Sequence, residues 1–288
     1  MGKNYEHKYW ASPDGLKLHY RDYAGPDGGK KTPVLCLHGL TRNARDFAPL
    51  ADAICETRRV IVPEMRGRGR SEYAKDTSTY NPLTYIGDVL ALLAEQDIAR
   101  VVSIGTSMGG LMTMLMGAQN ADLFEAVVLN DIGPEIDPEG LSRIGGYVGQ
   151  GGSYPTWMHA ARALQSVHHA AFPDYGIDQW LEMAKRTLII GQNGRLTYDY
   201  DVGIAEPFKQ PGNAAPPDLW PAFDALKDIP MVLIRGELSD LLAIDIAAKM
   251  VERHSDCALA TVPRIGHAPM LDEAESTTAI NALLERVK

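Results

Sequence analysis

One serine of the 288-residue chain sits among glycines at the end of an apolar run: Ser107, in "VVSIGTSMGG", residues 101–110. Gly105 and Gly109 stand two residues to either side, the G-x-S-x-G spacing. Between a strand and a helix that spacing bends the backbone so sharply that only hydrogen side chains fit, and the serine hydroxyl is left exposed. Such a serine can act as a nucleophile if a base takes its proton and an acid orients the base. His267, in "PRIGHAPMLDEAE", is the expected base. Asp240, in "LIRGELSDLL", is the expected acid, with Asp131 in "VVLNDIGP" as its rival and Glu237 as a third candidate. The backbone amides of Met108 and of Leu40, in "LHGLTRN", are expected to hold the oxyanion.

These groups meet only if strand ends bring them together. Six short apolar runs end in turn residues: 33–39, 58–64, 100–107, 125–133, 230–236 and 257–266. Continuous Val, Ile and Leu without alternation is the pattern of strands buried on both faces. Helical patterns lie between them, as in 81–96, where Ile86, Val89, Leu90 and Leu93 recur at helical spacing behind Pro82. The closing 272–287 has acidic residues in its first turn, with Arg286 and Lys288 near its end, as the helix dipole prefers. Strands alternating with helices imply right-handed crossovers and a parallel sheet. Ser107, Asp240 and His267 then each follow a different strand at its carboxyl edge. The N-terminal "YWASPDGLKLHYRDY" reads as a hairpin attached to one edge of that sheet. Between about Gly133 and Pro221 the rhythm breaks. Strand-like runs vanish, and "WMHAARALQSVHHAAF" and "IDQWLEMAKRTLII" read as helices. The stretch is too long for an ordinary connection. The expected organisation is a core of residues 1–133 and 222–288 with a helical insertion at 134–221.

Over residues 5–288 the chain resembles the α/β-hydrolase family in its serine-nucleophile branch, through the "HG" turn, "EMRGRGRS" (64–71), "GTSMGG", "DIGP", "GELSD" and "GHAPMLDE". The resemblance implies an α/β fold, a mostly parallel doubly wound sheet whose insertion is a helical cap over the site. It also implies that the acid lies in "GELSD", which favours Asp240. Glu64 stands where such proteins commonly carry aspartate, in a turn read as structural. Serine at the elbow disfavours epoxide hydrolases and haloalkane dehalogenases, whose relatives use aspartate there. The implied activity is that of a cofactor-free serine hydrolase, carboxylesterase- or lactonase-like, acting on an ester or lactone of a small to medium acyl group. Tyr147, Tyr154, Trp157 and Trp180 are the expected substrate contacts in the cap, with Tyr198 beside them. Two alternatives stand. A carbon–carbon bond hydrolase of the meta-cleavage type shares the "SMGG" elbow but commonly has an aromatic where this chain has Ala268. A small-molecule receptor on the same fold keeps an intact triad with slow turnover.

Composition narrows the partners. A net charge of −9 argues against nucleic acid and against an anionic membrane surface, and "RGRGR" is too short a basic run to reverse that. No apolar run reaches membrane-spanning length, and "MGKNYEHKYW" has no signal-like apolar core, so a cytoplasmic location is expected. The three cysteines show no CxxC spacing, and His159, His168 and His169 have no carboxylate partners at metal spacing. Neither metal nor cofactor is expected; the partner is a small-molecule ester or lactone. His38, just before the oxyanion turn, is expected to hydrogen-bond locally.

Overall fold

The computed structural model describes residues 4–26, 30–206 and 218–287. The chain opens with β1 (Glu6–Ala11) and β2 (Lys17–Tyr23), the antiparallel hairpin expected of the N-terminus. Then come β3 (Val34–Leu37), α1 (Ala48–Ile54), β4 (Val60–Glu64), α2 (Pro82–Glu95), β5 (Val101–Thr106), α3 (Met108–Gln119) and β6 (Phe124–Asn130). The next segment holds α4 (Pro138–Tyr147), β7 (Ser153–Tyr154), α5 (Trp157–His168), α6 (Ile177–Thr187), β8 (Leu188–Ile190) and β9 (Leu196–Tyr198). The chain closes with α7 (Trp220–Asp224), β10 (Met231–Gly236), α8 (Ile244–Arg253), β11 (Cys257–Val262) and α9 (Ala274–Glu285).

Eight strands form the main sheet in the order β1-β2-β4-β3-β5-β6-β10-β11. The pairs from β4 to β11 are all parallel, while β1 and β2 run antiparallel at one edge. Side chains on one strand alternate between two buried layers. Leu35, Leu37, Val127, Leu129 and Leu233 pack with residues of α2, α3 and α8. Val34, Cys36, Val128, Val232 and Ile234 pack with residues of α1 and α9. Helices therefore cover both faces, which is why the central strands read as unbroken apolar runs. Each fully buried Val, Leu or Ile contributes about 1.5–3 kcal/mol.

Local chemistry sets the element ends. Asn81 starts α2 by accepting the Thr84 amide on its side chain, with Pro82 at the first helical position. The buried face of α2 is Tyr85, Ile86, Val89, Leu92 and Leu93, whereas Leu90 is exposed, so the stripe is turned by one residue from the expected one. Glu64 is structural, as expected: its carboxylate accepts the amides of Ala44 and Arg70 and faces His19 Nδ1 at 2.8 Å. The arginines of "RGRGR" are mostly spent on packing. Arg66 pairs with Asp88 and Asp14, and Arg68 is buried against the Leu40 and Arg66 carbonyls.

One expectation for residues 134–221 is corrected. The segment holds a three-stranded antiparallel sheet, β7-β9-β8, beside its helices. The end of "AKRTLII", read as helix, becomes β8 because the chain reverses at Gly191–Gly194, where Gly194 adopts φ +73°. Residues 207–217 of the expected insertion lie outside the described residues, as does Lys288. Arg45 ties the segment to the core, donating to the Arg186 carbonyl at 2.9 Å and to Asp199 at 2.6 Å. Among the described residues no helix is long and apolar enough to cross a membrane.

Candidate active site

Ser107 occupies the turn between β5 and α3 with φ +52° and ψ −114°, a conformation L-residues rarely adopt. Two glycines make that turn possible. A Cβ on Gly105 would lie 2.5 Å from the Gly109 backbone, and one on Gly109 would lie 2.0 Å from the Leu37 carbonyl oxygen. No other residue fits either position. The Ser107 amide donates to the Asn130 carbonyl at 3.0 Å, and its own carbonyl accepts the amides of Gly110 and Leu111 as α3 begins. Ser107 therefore sits at the positive end of a helix, where developing negative charge is favoured.

His267 follows β11 and meets the serine across the sheet edge. Its Nε2 lies 2.9 Å from Ser107 Oγ and its Nδ1 lies 2.8 Å from Asp131 Oδ2. Nδ1 thus donates to the carboxylate, and Nε2 is left to accept the serine proton. Asn130 holds the histidine loop in place by donating to the Pro269 carbonyl at 2.9 Å and to Thr106 Oγ1 at 3.0 Å.

The acid beside His267 is Asp131, which corrects the expected Asp240. Asp131 is fully buried one residue beyond β6, the strand next to β5. Its carboxylate also accepts the Gly236 amide at 2.9 Å and the Ser239 hydroxyl at 2.6 Å. Asp240 lies four residues beyond β10, by which point the chain has turned outward. Ser239 takes the inward place, and Asp240 pairs with Arg143 of α4 through both carboxylate oxygens, one of them at 2.8 Å. Burial pushes the Asp240 carboxyl up, but its bonds to Arg143 outweigh this and hold it below the usual range. Glu237 accepts the Arg264 amide and does not bond to the histidine. Ser239 and Asn130 were not singled out by sequence; the one signal was their position beside the two candidate acids.

The expected oxyanion donors flank the serine differently. Leu40 lies with Ser107 and His267 on the wall of a cavity of about 260 Å³, while Met108 is the first residue of α3. Neither amide has an acceptor among the described residues. His38 bonds locally, as expected: Nδ1 donates to the Gly39 carbonyl at 2.7 Å and Nε2 accepts the Met65 amide at 3.1 Å. Burial pushes its imidazole down to about 4.

Of the expected substrate contacts, Tyr147 and Tyr154 line the cavity, as does Tyr198. Trp180 and Trp157 do not, which corrects both. Trp180 is fully buried, packs against Phe172 and Tyr175, and donates to the Tyr175 carbonyl at 3.1 Å. Trp157 packs against the same buried layer. The remaining polar wall includes Arg42, Asp46 and Gln150, which carried no signal in the sequence, and His168, one of three histidines of the insertion expected at its surface or lining the pocket. Burial and the Arg42 and Arg143 charges push the His168 imidazole down to about 4, so it is neutral at pH 7. His159 instead lies in the first turn of α5, its amide donating to the capping Thr156 hydroxyl and its Nδ1 2.8 Å from the same oxygen. Among the described residues no group of three or more His, Cys, Asp or Glu side chains could hold a metal ion.

Comparison with known proteins identifies the family to which this fold belongs. A family model described as "Alpha/beta hydrolase family" matches residues 34–279. The chain is 34% identical to a 3-hydroxybutyrate-oligomer hydrolase of Cupriavidus necator over 280 residues, 93% of each protein. It is 25% identical to a 2-(acetamidomethylene)succinate hydrolase of Mesorhizobium japonicum over 81% of each. The crystal structure of an alpha/beta hydrolase from Novosphingobium aromaticivorans superposes with a TM-score of 0.95 at 56% identity, covering 100% of both chains.

Proposed function

The chain belongs to the α/β-hydrolase family and is a hydrolase, and from that premise we propose that it cleaves a carboxylic ester or lactone of a small to medium acyl group. The observation that carries this reading is the unbroken line Ser107–His267–Asp131, with hydrogen-bond distances of 2.9 and 2.8 Å. His267 Nε2 takes the Ser107 proton as Oγ attacks the carbonyl carbon, and the carbonyl π electrons become an oxyanion. The free amides of Leu40 and Met108 stabilise that oxygen. Asp131 fixes the histidine tautomer and stabilises the imidazolium. Collapse of the intermediate expels the alkoxide, which takes the proton from Nε2 and leaves an acyl-serine. Water, deprotonated by the same nitrogen, attacks this acyl group and returns Ser107. We take residues 134–221 as the cap that closes the cavity.

Cavity size supports a short acyl group, because about 260 Å³ lies just below the range of about 300–1,000 Å³ usual for small-molecule sites. The name of the Cupriavidus relative specifies oligomers of 3-hydroxybutyrate, whose units are short hydroxy acids joined by esters. Rates on p-nitrophenyl acetate, p-nitrophenyl butyrate and the 3-hydroxybutyrate dimer, for wild type and Ser107→Ala, test the proposal. Turnover by wild type and its loss in Ser107→Ala are expected. Equal rates in the two proteins would contradict it.

A further inference from the structure

Arg42 lies on the loop after β3, two residues beyond Leu40, and is the one Lys or Arg on the cavity wall among the described residues. A Cβ added to Gly39 would lie 3.5 Å from Arg42 Cγ and 3.8 Å from Ser107 Cβ. The arginine stem and the serine thus both border the space beside this glycine, where a side chain would stand. Asp46 accepts from Nε and, at 2.7 Å, from Nη2, occupying one edge of the guanidinium. The second Nη2 donor meets only the Met270 sulfur at 4.0 Å. Nη1 has no acceptor among the described residues and keeps accessible surface, on a residue that lines the cavity. Asp46 therefore holds the side chain rigid while leaving a second, two-nitrogen edge open.

A planar guanidinium edge matches a carboxylate in a way no neutral group does. The rest of the wall does not compete for it. Its other carboxylate-free polar groups are hydroxyls, Gln150, and imidazoles, of which His168 is neutral at pH 7. We propose that the open edge of Arg42 receives a free carboxylate carried by the substrate, so that the preferred esters are anions. This rests on the reading of Ser107 as an ester nucleophile. It adds a residue that selects among esters without touching the reacting atoms. The chain's net charge of −9 makes such a local cation more telling, since the protein as a whole repels anions.

The test compares matched ester pairs. p-Nitrophenyl hemiglutarate carries a carboxylate on the acyl side where p-nitrophenyl valerate has a methyl group. 3-Acetoxybutyrate carries it on the alcohol side, with sec-butyl acetate as its neutral partner. In at least one pair, Arg42→Gln is expected to lower the anionic-to-neutral ratio of kcat/KM by about tenfold or more, mainly through KM, as loss of a charged hydrogen-bond pair would do. Arg42→Lys should restore part of the ratio. Thermal stabilisation of wild type by glutarate or 3-hydroxybutyrate, lost in Arg42→Gln, is the activity-free readout. It also covers the case in which Arg42→Gln fails to fold, because wild type alone must show the stabilisation with the acid and not with 1-pentanol. An unchanged ratio in both pairs, or no stabilisation of wild type by either acid, overturns the proposal. If wild type turns over no ester yet binds the acids, the ester reading fails while the assignment of Arg42 stands.

Discussion

Two aspartates leave the carboxyl edge of adjacent strands, and only one reaches the histidine. Asp131, directly after β6, is fully buried and accepts from a ring nitrogen, an amide and a hydroxyl. Asp240, beyond β10, has a side chain 42% exposed and ends in an ion pair with α4. The difference lies in depth. The residue next to a central strand is held inside the sheet edge, whereas four residues further on the chain has reached the surface. The "GELSD" loop still serves the site, because its Ser239 donates to the aspartate of the neighbouring strand.

Breaking the buried member should have the largest effect. Asp131→Asn is expected to lower kcat by roughly 10³–10⁴, because the amide presents the wrong histidine tautomer. Steady-state rates on any accepted ester, beside circular dichroism to confirm folding, check this. A smaller step sharpens the comparison. Ser239→Ala removes one donor from the carboxylate, and since a hydrogen bond to a charged group is worth about 1.5–3 kcal/mol, kcat should fall about ten- to hundredfold. KM should hold steady, because Ser239 positions the acid and does not touch the substrate. Loss in KM alone would show that the loop shapes the cavity instead.

The exposed member should matter least. Asp240→Asn is expected to keep kcat within about threefold of wild type and to cost about 0–1 kcal/mol of stability, as surface ion pairs do. The pH dependence has a definite sign. The folded-state pKa of Asp240 is lowered, so its contribution is present above the unfolded value of about 3.9 and disappears as pH falls through the folded one. Melting curves of the two proteins should therefore differ slightly at pH 7 and converge in acid. A gap that widens in acid would mean the ion pair is not the cause.

The strands and the elbow were legible in the sequence because each obeys a local rule. Runs such as 34–37 are buried on both faces and so cannot alternate, and a Cβ at either glycine flanking Ser107 would fall only 2.0–2.5 Å from backbone atoms. The acid was not legible, because choosing between Asp131 and Asp240 requires knowing how far each loop travels outward. Strands of two and three residues, such as β7 and β8, are too short to show a period. The two tryptophans of residues 134–221 were misplaced for a related reason. Trp180 and Tyr154 are both large aromatics with a polar handle, and only packing directs one into the core and the other to the cavity. Arg42 carried no signal, since a single arginine in a loop says nothing until its neighbours are placed.

The hydrogen bond between His267 and Asp131 holds the site together, and its ring proton can be observed directly. Proton NMR with nitrogen-labelled histidine, in wild type, Asp131→Asn and Asp240→Asn, follows the strongly downfield Nδ1 proton of His267. This resonance is expected to be present in wild type, to persist in Asp240→Asn and to move upfield or vanish in Asp131→Asn. Persistence in Asp131→Asn with loss in Asp240→Asn would contradict it and return the acid to the loop after β10.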